Sequence, residues 1–485
     1  MTEQYPLAVL LSCIALLMYL VVRGRSIFVV APLCALLASG LSGLDPLNTM
    51  TGPYMNGFSD YVRQFYLIFA LGAVFGKLME DSGAANTVAL SVGKCLGEHR
   101  ACLAVVLACA VLTYGGVSLF VVGFSVYPLA VQLFRAANLP RRFIPAAMAF
   151  GSITFTMTSA GSPEIQNLIP IRYLVNEVTK EKLTDARAGW PVSVIVSSLM
   201  FLVGQWYLER AIRKAVRNGE HFEARTDDSP PPVEDQTASE EGTPNKSGLP
   251  NFVAAIAPLV VTLLALNVMP FACHRAASLL WGDNEPEGQV ASLHRILKNM
   301  PEDPTLAIFL GTLAGLVTLR RWLPSGWSSF GAGFVNGMLA VGSTSAVVGF
   351  GAAIKVLPAF QQIVDAVVKL PLEPLVCAAI AVAVISAIAG SASGGQGIAL
   401  PIIKPIFVDE MGVAPRALHR VVAIASGTLD SLPANGYLVM LIRNICGETH
   451  GRAYGPIFVT TVLIPAGGTA LAILLFKWFP SWALM

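Results

Sequence analysis

The side chains with the most chemistry to offer cluster near the C-terminal end of the chain. Asp430 lies inside an otherwise apolar run, in Thr428-Leu429-Asp430-Ser431-Leu432-Pro433-Ala434-Asn435, with hydroxyls on both sides of it. A carboxylate in a dry place takes up a proton more readily than one in water. Asp430, helped by Thr428 and Ser431, is therefore a candidate ion- or proton-coupling group; its plainer reading is a helix cap or an interfacial ion pair. A second small-polar cluster, Gly390-Ser391-Ala392-Ser393-Gly394-Gly395, precedes it. Ser391 and Ser393 offer hydroxyl donors to a carboxylate, and Gly394 and Gly395 let the backbone approach one closely. The amide of Asn435 offers further polar atoms. The same small residues would also serve close helix packing.

The first half of the chain carries a matching set. The apolar run from Phe143 to Met157 passes into Thr158-Ser159-Ala160-Gly161-Ser162-Pro163-Glu164, followed by Asn167. Ser159, Gly161, Ser162 and Asn167 are the corresponding binding candidates. The N-terminal end of a half-helix presents free N–H groups and the positive end of the helix dipole, which suits an anionic ligand.

What holds such clusters is a bilayer. The 485 residues are 54% hydrophobic and 13% charged, against about 25% charged for an ordinary soluble domain. Mean hydropathy is +0.64. In lipid, every backbone polar group needs an internal partner, so interrupted helices survive only against protein or a watery cavity. The net charge of +2 and the lack of a basic stripe exclude a nucleic-acid binder. The 8 cysteines are scattered without CxxC pairs, which excludes a disulfide framework or a zinc site.

In chain order, residues 6–22 and 27–44 read as two spanning helices joined by the basic turn Arg23-Gly24-Arg25. Basic short loops favour the cytoplasm, which puts the N-terminus on the periplasmic side. Residues 45–62 read as an outer loop, and 63–93 as an apolar run with a bend or an end near Lys77, Glu80 and Asp81. Residues 101–134 hold two apolar stretches around Tyr114-Gly115-Gly116-Val117-Ser118, and 190–208 span again. Residues 209–250 are polar and Pro/Ser/Thr-rich, the composition of a disordered cytoplasmic linker. The expected organisation is thus a first membrane half, 1–208, the linker 209–250 and a second membrane half, 251–485. His419 and Arg420 are expected on a loop after Pro415.

The halves repeat an order of signals: a Gly-rich run ending in Lys77 or Lys355, a Gly-Gly break, Pro140-Arg141 or Pro415-Arg416, and a small-polar-Pro break with an Asn beyond it. Repeats with interrupted helices at corresponding places point to secondary transport.

Gly390 to Gly395 with Gly397-Ile398-Ala399-Leu400, His419-Arg420-Val421 and Ser426 to Gly436 resemble the gluconate permease (GntP) family. The nearest branch is that of hydroxybutyrate- or citrate-type permeases, which Thr156-Met157-Thr158 and Pro163-Glu164-Ile165-Gln166-Asn167 also resemble. The likeness covers residues 60–180 and 330–470. It departs where Leu-Asp-Ser-Leu-Pro-Ala-Asn replaces the more usual Asp-His after a Ser-Gly-Gly, so the substrate stays open. The resemblance implies an all-α polytopic protein of the ion transporter superfamily. It would have two inverted repeats, broken helices, re-entrant hairpins, and a scaffold beside elevator-type transport subdomains. It also implies a proton symporter importing a small organic acid, a hydroxy- or sugar carboxylate, across a bacterial inner membrane. It leaves room for a homodimer.

No P-loop, HExxH or GxSxG occurs, so neither nucleotide-driven transport nor intramembrane hydrolysis is expected. No cofactor is expected beyond a transmembrane proton or sodium gradient. Two alternatives remain: a sodium-coupled di- or tricarboxylate transporter, and a passive anion channel. Differences of detail between the halves argue against the channel.

Overall fold

A computed structural model describes residues 4–22, 25–97, 100–223, 248–281, 304–323, 326–357, 359–360, 362, 372–433 and 435–484. The described part is almost wholly helical. Helices α1, Gln4–Val22, and α2, Ile27–Leu41, form the first hairpin. Residues 45–62, expected as a loop, are helical instead. Asp45 caps the segment by accepting from Leu47 and Asn48 N–H groups. From Pro46 to Asp81 the chain runs as one 36-residue helix, α3, with a wide π turn at Met50–Tyr54 that absorbs Pro53. Lys77 and Asp81, 2.7 Å apart, mark the end of α3. Gly83 then turns the chain at φ +71 into α4, Ala84–Leu96.

Helix α5, Ala101–Tyr114, and α6, Leu119–Ala136, flank the first interruption. Helix α7 begins at Ile144–Ala149, widens over Phe150–Thr154 and closes at Phe155–Thr158; α8 is Ile165–Tyr173. Helix α9, Trp190–Arg217, crosses in 28 residues. At a rise of about 1.5 Å per residue it is roughly 42 Å long, more than the ~30 Å of hydrocarbon in a bilayer.

The second half opens with α10, Phe252–Asn267, bent by 53° from α11, Met269–Trp281. Helices α12, Pro304–Leu319, and α13, Gly326–Lys355, follow. Next come α14, Pro374–Ala389, and α15, Ala392–Ile403, which continues as a π segment to Glu410. Helix α16 is Pro415–Leu429, α17 is Gly436–Ile445 and α18 is His450–Trp478. Among the described residues, four helices are long and apolar enough to cross a membrane alone, or five if the bent pair counts as one. Several of the remaining, shorter apolar helices flank the interruptions, among them Ala101–Tyr114, Pro374–Ala389 and Gly436–Ile445.

Element lengths recur between the halves. Helix α5 has 14 residues and α14 has 16. Ile144 to Thr158 is fifteen residues long, as is α16. Helix α9 has 28 residues and α18 has 29.

Helices α3 and α13 cross antiparallel along most of their length, Gly57 lying near Val348 and Ala352, Ala70 near Gly337, and Val74 near Gly333. A Cβ on Gly333 would stand 2.6 Å from Val74 Cα, so the backbones approach only because glycine is there.

Two expected boundaries move. Helix α9 runs on through 209–217, the first part of the expected linker, because Arg-Ala-Ile-Arg-Lys-Ala-Val-Arg is a strong helix-forming stretch. Residues 224–247 of that linker lie outside the described residues. His419 and Arg420, expected on a loop, sit fully buried within α16.

Candidate functional site

All four anticipated interruptions are present, but tighter than the sequence suggested. The first is Gly115 to Ser118: Gly116 adopts φ +94, and Ser118 Oγ accepts from Val121 N to start α6. The second runs from Ser159 to Glu164. Gly161 takes φ +80 there, and its N–H donates to Ala186 O at 2.8 Å. The third is only Gly390, at φ +62, and Ser391. Ser393, Gly394 and Gly395, expected in the break, form the first turn of α15, because Ser391 Oγ caps it by accepting from Gly394 N. The fourth is Asp430 to Asn435; Thr428 belongs to α16, its hydroxyl donating to Ala425 O at 2.6 Å.

Interruptions one and two touch. A Cβ on Gly116 would lie 2.9 Å from Pro163 Cγ, and the buried Ser162 hydroxyl donates to Tyr114 O at 3.3 Å. Interruptions three and four also touch. Asp430 Oδ2 accepts from Ala392 N at 3.3 Å, and Oδ1 accepts from Ser431 Oγ at 2.9 Å. One turn along each helix, Gln396 Nε2 donates to Ser426 Oγ at 2.8 Å. Asp430 is buried, and no lysine or arginine pairs with it among the described residues. Asn435 caps α17 by accepting from Leu438 N, and its amide donates to Asp430 O at 3.1 Å.

Beside the first of these centres lies a polar knot that sequence reasoning missed. Arg420 is fully buried and donates to four acceptors: Ala188 O at 3.0 Å, Asn167 Oδ1 at 3.0 Å, and Thr158 O and Ala186 O at 3.4 Å each. His419 contacts Thr184 Oγ1 at 2.8 Å and Asn167 Oδ1 at 3.3 Å. Asn167 Nδ2 donates to Ser162 O and Ala186 O, both at 2.9 Å. The Asn167 amide, expected to hold substrate, is thereby committed to protein on every side. The signal for Arg420 was available: an arginine and a histidine within an apolar run are intramembrane ionisable groups.

Arg420 and Asp430 are ten residues apart on α16, so roughly 15 Å separates the two centres along its axis. A cavity of about 410 Å³ opens at the first of them. It is lined by Tyr114, Ser159, Ala160, Arg187, Trp190, Ser193, Val194, Ser197 and Asn267. Of the candidate binding residues it includes Ser159, whose hydroxyl donates to Phe155 O, and it reaches none of the second-half candidates.

Known proteins give the frame for this geometry. The sequence profile described as GntP family permease matches residues 5–475. The uncharacterized transporter YxjC of Bacillus subtilis is 32% identical over 473 residues, covering 94% of this chain and 96% of that protein. The high-affinity gluconate transporter of Escherichia coli is 29% identical over 145 residues, 30% of this chain and 33% of that one. The crystal structure of the YdaH transporter of Alcanivorax borkumensis superposes with a TM-score of 0.55 at 15% identity, covering 90% of this chain and 89% of that one. At that identity the likeness is one of fold.

Proposed function

The chain belongs to the GntP permease family, a family of membrane transporters and not of enzymes, and from that premise we propose that it imports a small hydroxy- or sugar carboxylate by gradient-driven alternating access. The chain would sit in a bacterial inner membrane as a multi-pass protein, with the proton the favoured coupling ion.

The observation that carries this reading is the doubled pattern of interruptions. Each half has a long helix, then a pair of short helices around one break, a second broken pair, and a closing span. The two long helices, α3 and α13, run in opposite directions, which supports inverted repeats. Unwound backbone inside the apolar zone suits a binding site, where half-helix ends meet charged ligands. A buried carboxylate that no lysine or arginine among the described residues pairs with, Asp430, suits a group that exchanges a proton or cation during the cycle.

The orientation expected from the basic loops draws support from the packing. Thr87, at the start of α4, donates to Pro250 O at 3.0 Å, so the end of α3 lies on the linker face. Helix α2 enters from that same face, bringing the Arg25 turn with it, and α1 then places Gln4 on the opposite one. Arg142 and Arg217 also lie on the linker face. A cytoplasmic linker and a periplasmic N-terminus satisfy the positive-inside preference.

Counterflow in proteoliposomes tests the proposal. Vesicles preloaded with unlabelled gluconate should transiently accumulate labelled gluconate from outside. A channel gives no such overshoot, and its absence for gluconate, 3-hydroxybutyrate and citrate alike would refute the reading.

A further inference from the structure

Helix α9 carries a basic face where it leaves the hydrocarbon. Its exposed side chains Leu199, Val203 and Trp206 recur at helical spacing, and the exposed Arg210, Lys214 and Arg217 continue the same face. Twenty residues separate Trp190 from Arg210, a length of about 30 Å, one hydrocarbon thickness. Trp190 and Trp206 are exposed and lie near the two ends of that stretch, as interfacial aromatics do. The face therefore turns from apolar to basic at the level of the lipid headgroups.

These bases do not spend their charge on the protein. Arg213, at the edge of the face, is turned to Glu209 at 3.7 Å. Among the described residues no acid pairs with Arg210, Lys214 or Arg217. The Arg210 guanidinium lies over the Trp206 ring, 5.6 Å from its centre, which keeps it at the headgroup level. Arg217 gives one N–H to Arg213 O at 3.3 Å, and a guanidinium has five. With Asn218, the three bases line a cavity of about 480 Å³. The helix dipole accounts for Lys214 and Arg217 in the last turn. It accounts neither for Arg210, two turns earlier, nor for the cavity the three share.

Three bases at this level match a phosphate carried on acyl chains. Guanidinium forks bind phosphate oxygens bidentately, and a lysine adds a point charge. The exposed strip of Leu199, Val203 and Trp206 runs directly into the cavity, where acyl chains would lie. A free phosphate would leave that strip unused. So would the acidic part of the linker, Glu234-Asp235 and Glu240-Glu241, which is the competing anion on this chain.

We propose that Arg210, Lys214, Arg217 and Asn218 bind the headgroup phosphate of an anionic phospholipid, whose acyl chains lie along Leu199, Val203 and Trp206. A basic patch at the end of a spanning helix attracts anionic lipid, and the cavity gives the headgroup a defined seat. The site is independent of what the protein transports.

Soluble short-chain lipids test it. Purified full-length protein in detergent is titrated with dioctanoylphosphatidylglycerol, dioctanoylphosphatidylcholine and inorganic phosphate, following binding by calorimetry. The anionic lipid should bind at least tenfold more tightly than either of the others. The triple variant Arg210→Gln, Lys214→Gln, Arg217→Gln should lose at least tenfold in affinity for it. All three positions are exposed, so the thermal midpoint without lipid should not change. Arg213→Gln removes a charge from the same two turns but not from the cavity, and should leave the affinity within twofold. Neutralising Glu234, Asp235, Glu240 and Glu241 to their amides in the full chain should also leave it within twofold.

A folded triple variant that binds phosphatidylglycerol as wild type does overturns the site. Equal affinity for inorganic phosphate overturns the lipid as its ligand, and a loss with Arg213→Gln as large as that of the triple variant reduces it to general surface charge. A tenfold gain on neutralising the acidic residues makes the linker the occupant and overturns the proposal as well.

Discussion

Arg420 on α16 donates from Nη2 to Oδ1 of Asn167 on α8, at 3.0 Å across 253 residues of chain. The same guanidinium holds Ala188 O and Thr158 O, so one side chain ties the end of α7, the start of α8 and the 184–189 loop to the second half. Its planar fork reaches several carbonyls at once, which a lysine ammonium cannot do. Arg420→Met should strand those acceptors in a dry place and destabilise the protein by about 3–5 kcal/mol. Arg420→Lys should cost about 1–3 kcal/mol. Thermal unfolding in detergent measures both. A folded Arg420→Met protein with an unchanged midpoint would show that the knot bears no structural weight.

Asp430 makes a different prediction, because the two hydrogen bonds at its carboxylate come from Ala392 N and Ser431 Oγ and neither brings a positive charge. Asparagine keeps its shape but cannot exchange a proton over the working pH range. Asp430→Asn should abolish uphill accumulation of gluconate driven by a proton gradient. Counterflow exchange should persist within about threefold, since a change below ~0.7 kcal/mol in the barrier is expected where only the coupling step is lost. Undiminished uphill uptake by the variant would remove Asp430 from the coupling role.

Much of this was readable in the chain. Gly115-Gly116, Pro163 and Pro433 interrupt apolar runs, and glycine and proline announce a break wherever backbone hydrogen bonding must stop. What was not readable depended on distant partners. Ser393, Gly394 and Gly395 look like loop residues, yet Ser391 caps them into a helix whose small side chains fit beneath Ser386 of α14. Residues 45–62 carry turn-forming residues, but the helix accommodates Pro53 within a π turn. The burial of Arg420 requires the carbonyls of Ala186 and Ala188, more than two hundred positions away, and no local pattern encodes them. The pairing of interruptions two by two is likewise tertiary information: Gly116 meets Pro163, and Asp430 meets Ala392.

At the linker face, residues beyond α9 fold back on the turn between α6 and α7. Arg142 Nε donates to Glu220 at 2.6 Å, Arg452 reaches Glu223 at 3.1 Å, and Phe222 N donates to Asn138 Oδ1. The Arg142 guanidinium holds the Glu220 carboxyl below its ordinary value. A depressed carboxyl contributes stability above its unfolded value and loses it as pH falls through the folded one. Wild type should therefore exceed Glu220→Gln in thermal midpoint at pH 7, with the gap closing below about pH 4. Glu220 is partly exposed, so the difference should not exceed about 1 kcal/mol. A gap that widens with acidification would contradict this account of the contact.

The crossing of α3 and α13 gives the last prediction, because two glycines of one helix face opposite fates. A Cβ on Gly337 would stand 2.6 Å from Ala70 Cα and 3.0 Å from Phe69 O, and neither is a flexible side-chain end that can move aside. Gly331, on the same helix, is exposed and has nothing within 4 Å of the corresponding position. Gly337→Ala must push two backbones apart and should destabilise by about 1–3 kcal/mol, as overpacking does. Gly331→Ala removes a flexible residue from a helix interior and should stabilise by up to about 1 kcal/mol. The opposite signs separate contact from propensity: propensity alone would raise both midpoints, and only a close backbone crossing lowers one while raising the other. Two upward shifts in thermal unfolding would mean that α3 and α13 do not approach as described. Since that crossing joins the halves, the proposed relation between the repeats would then need another axis.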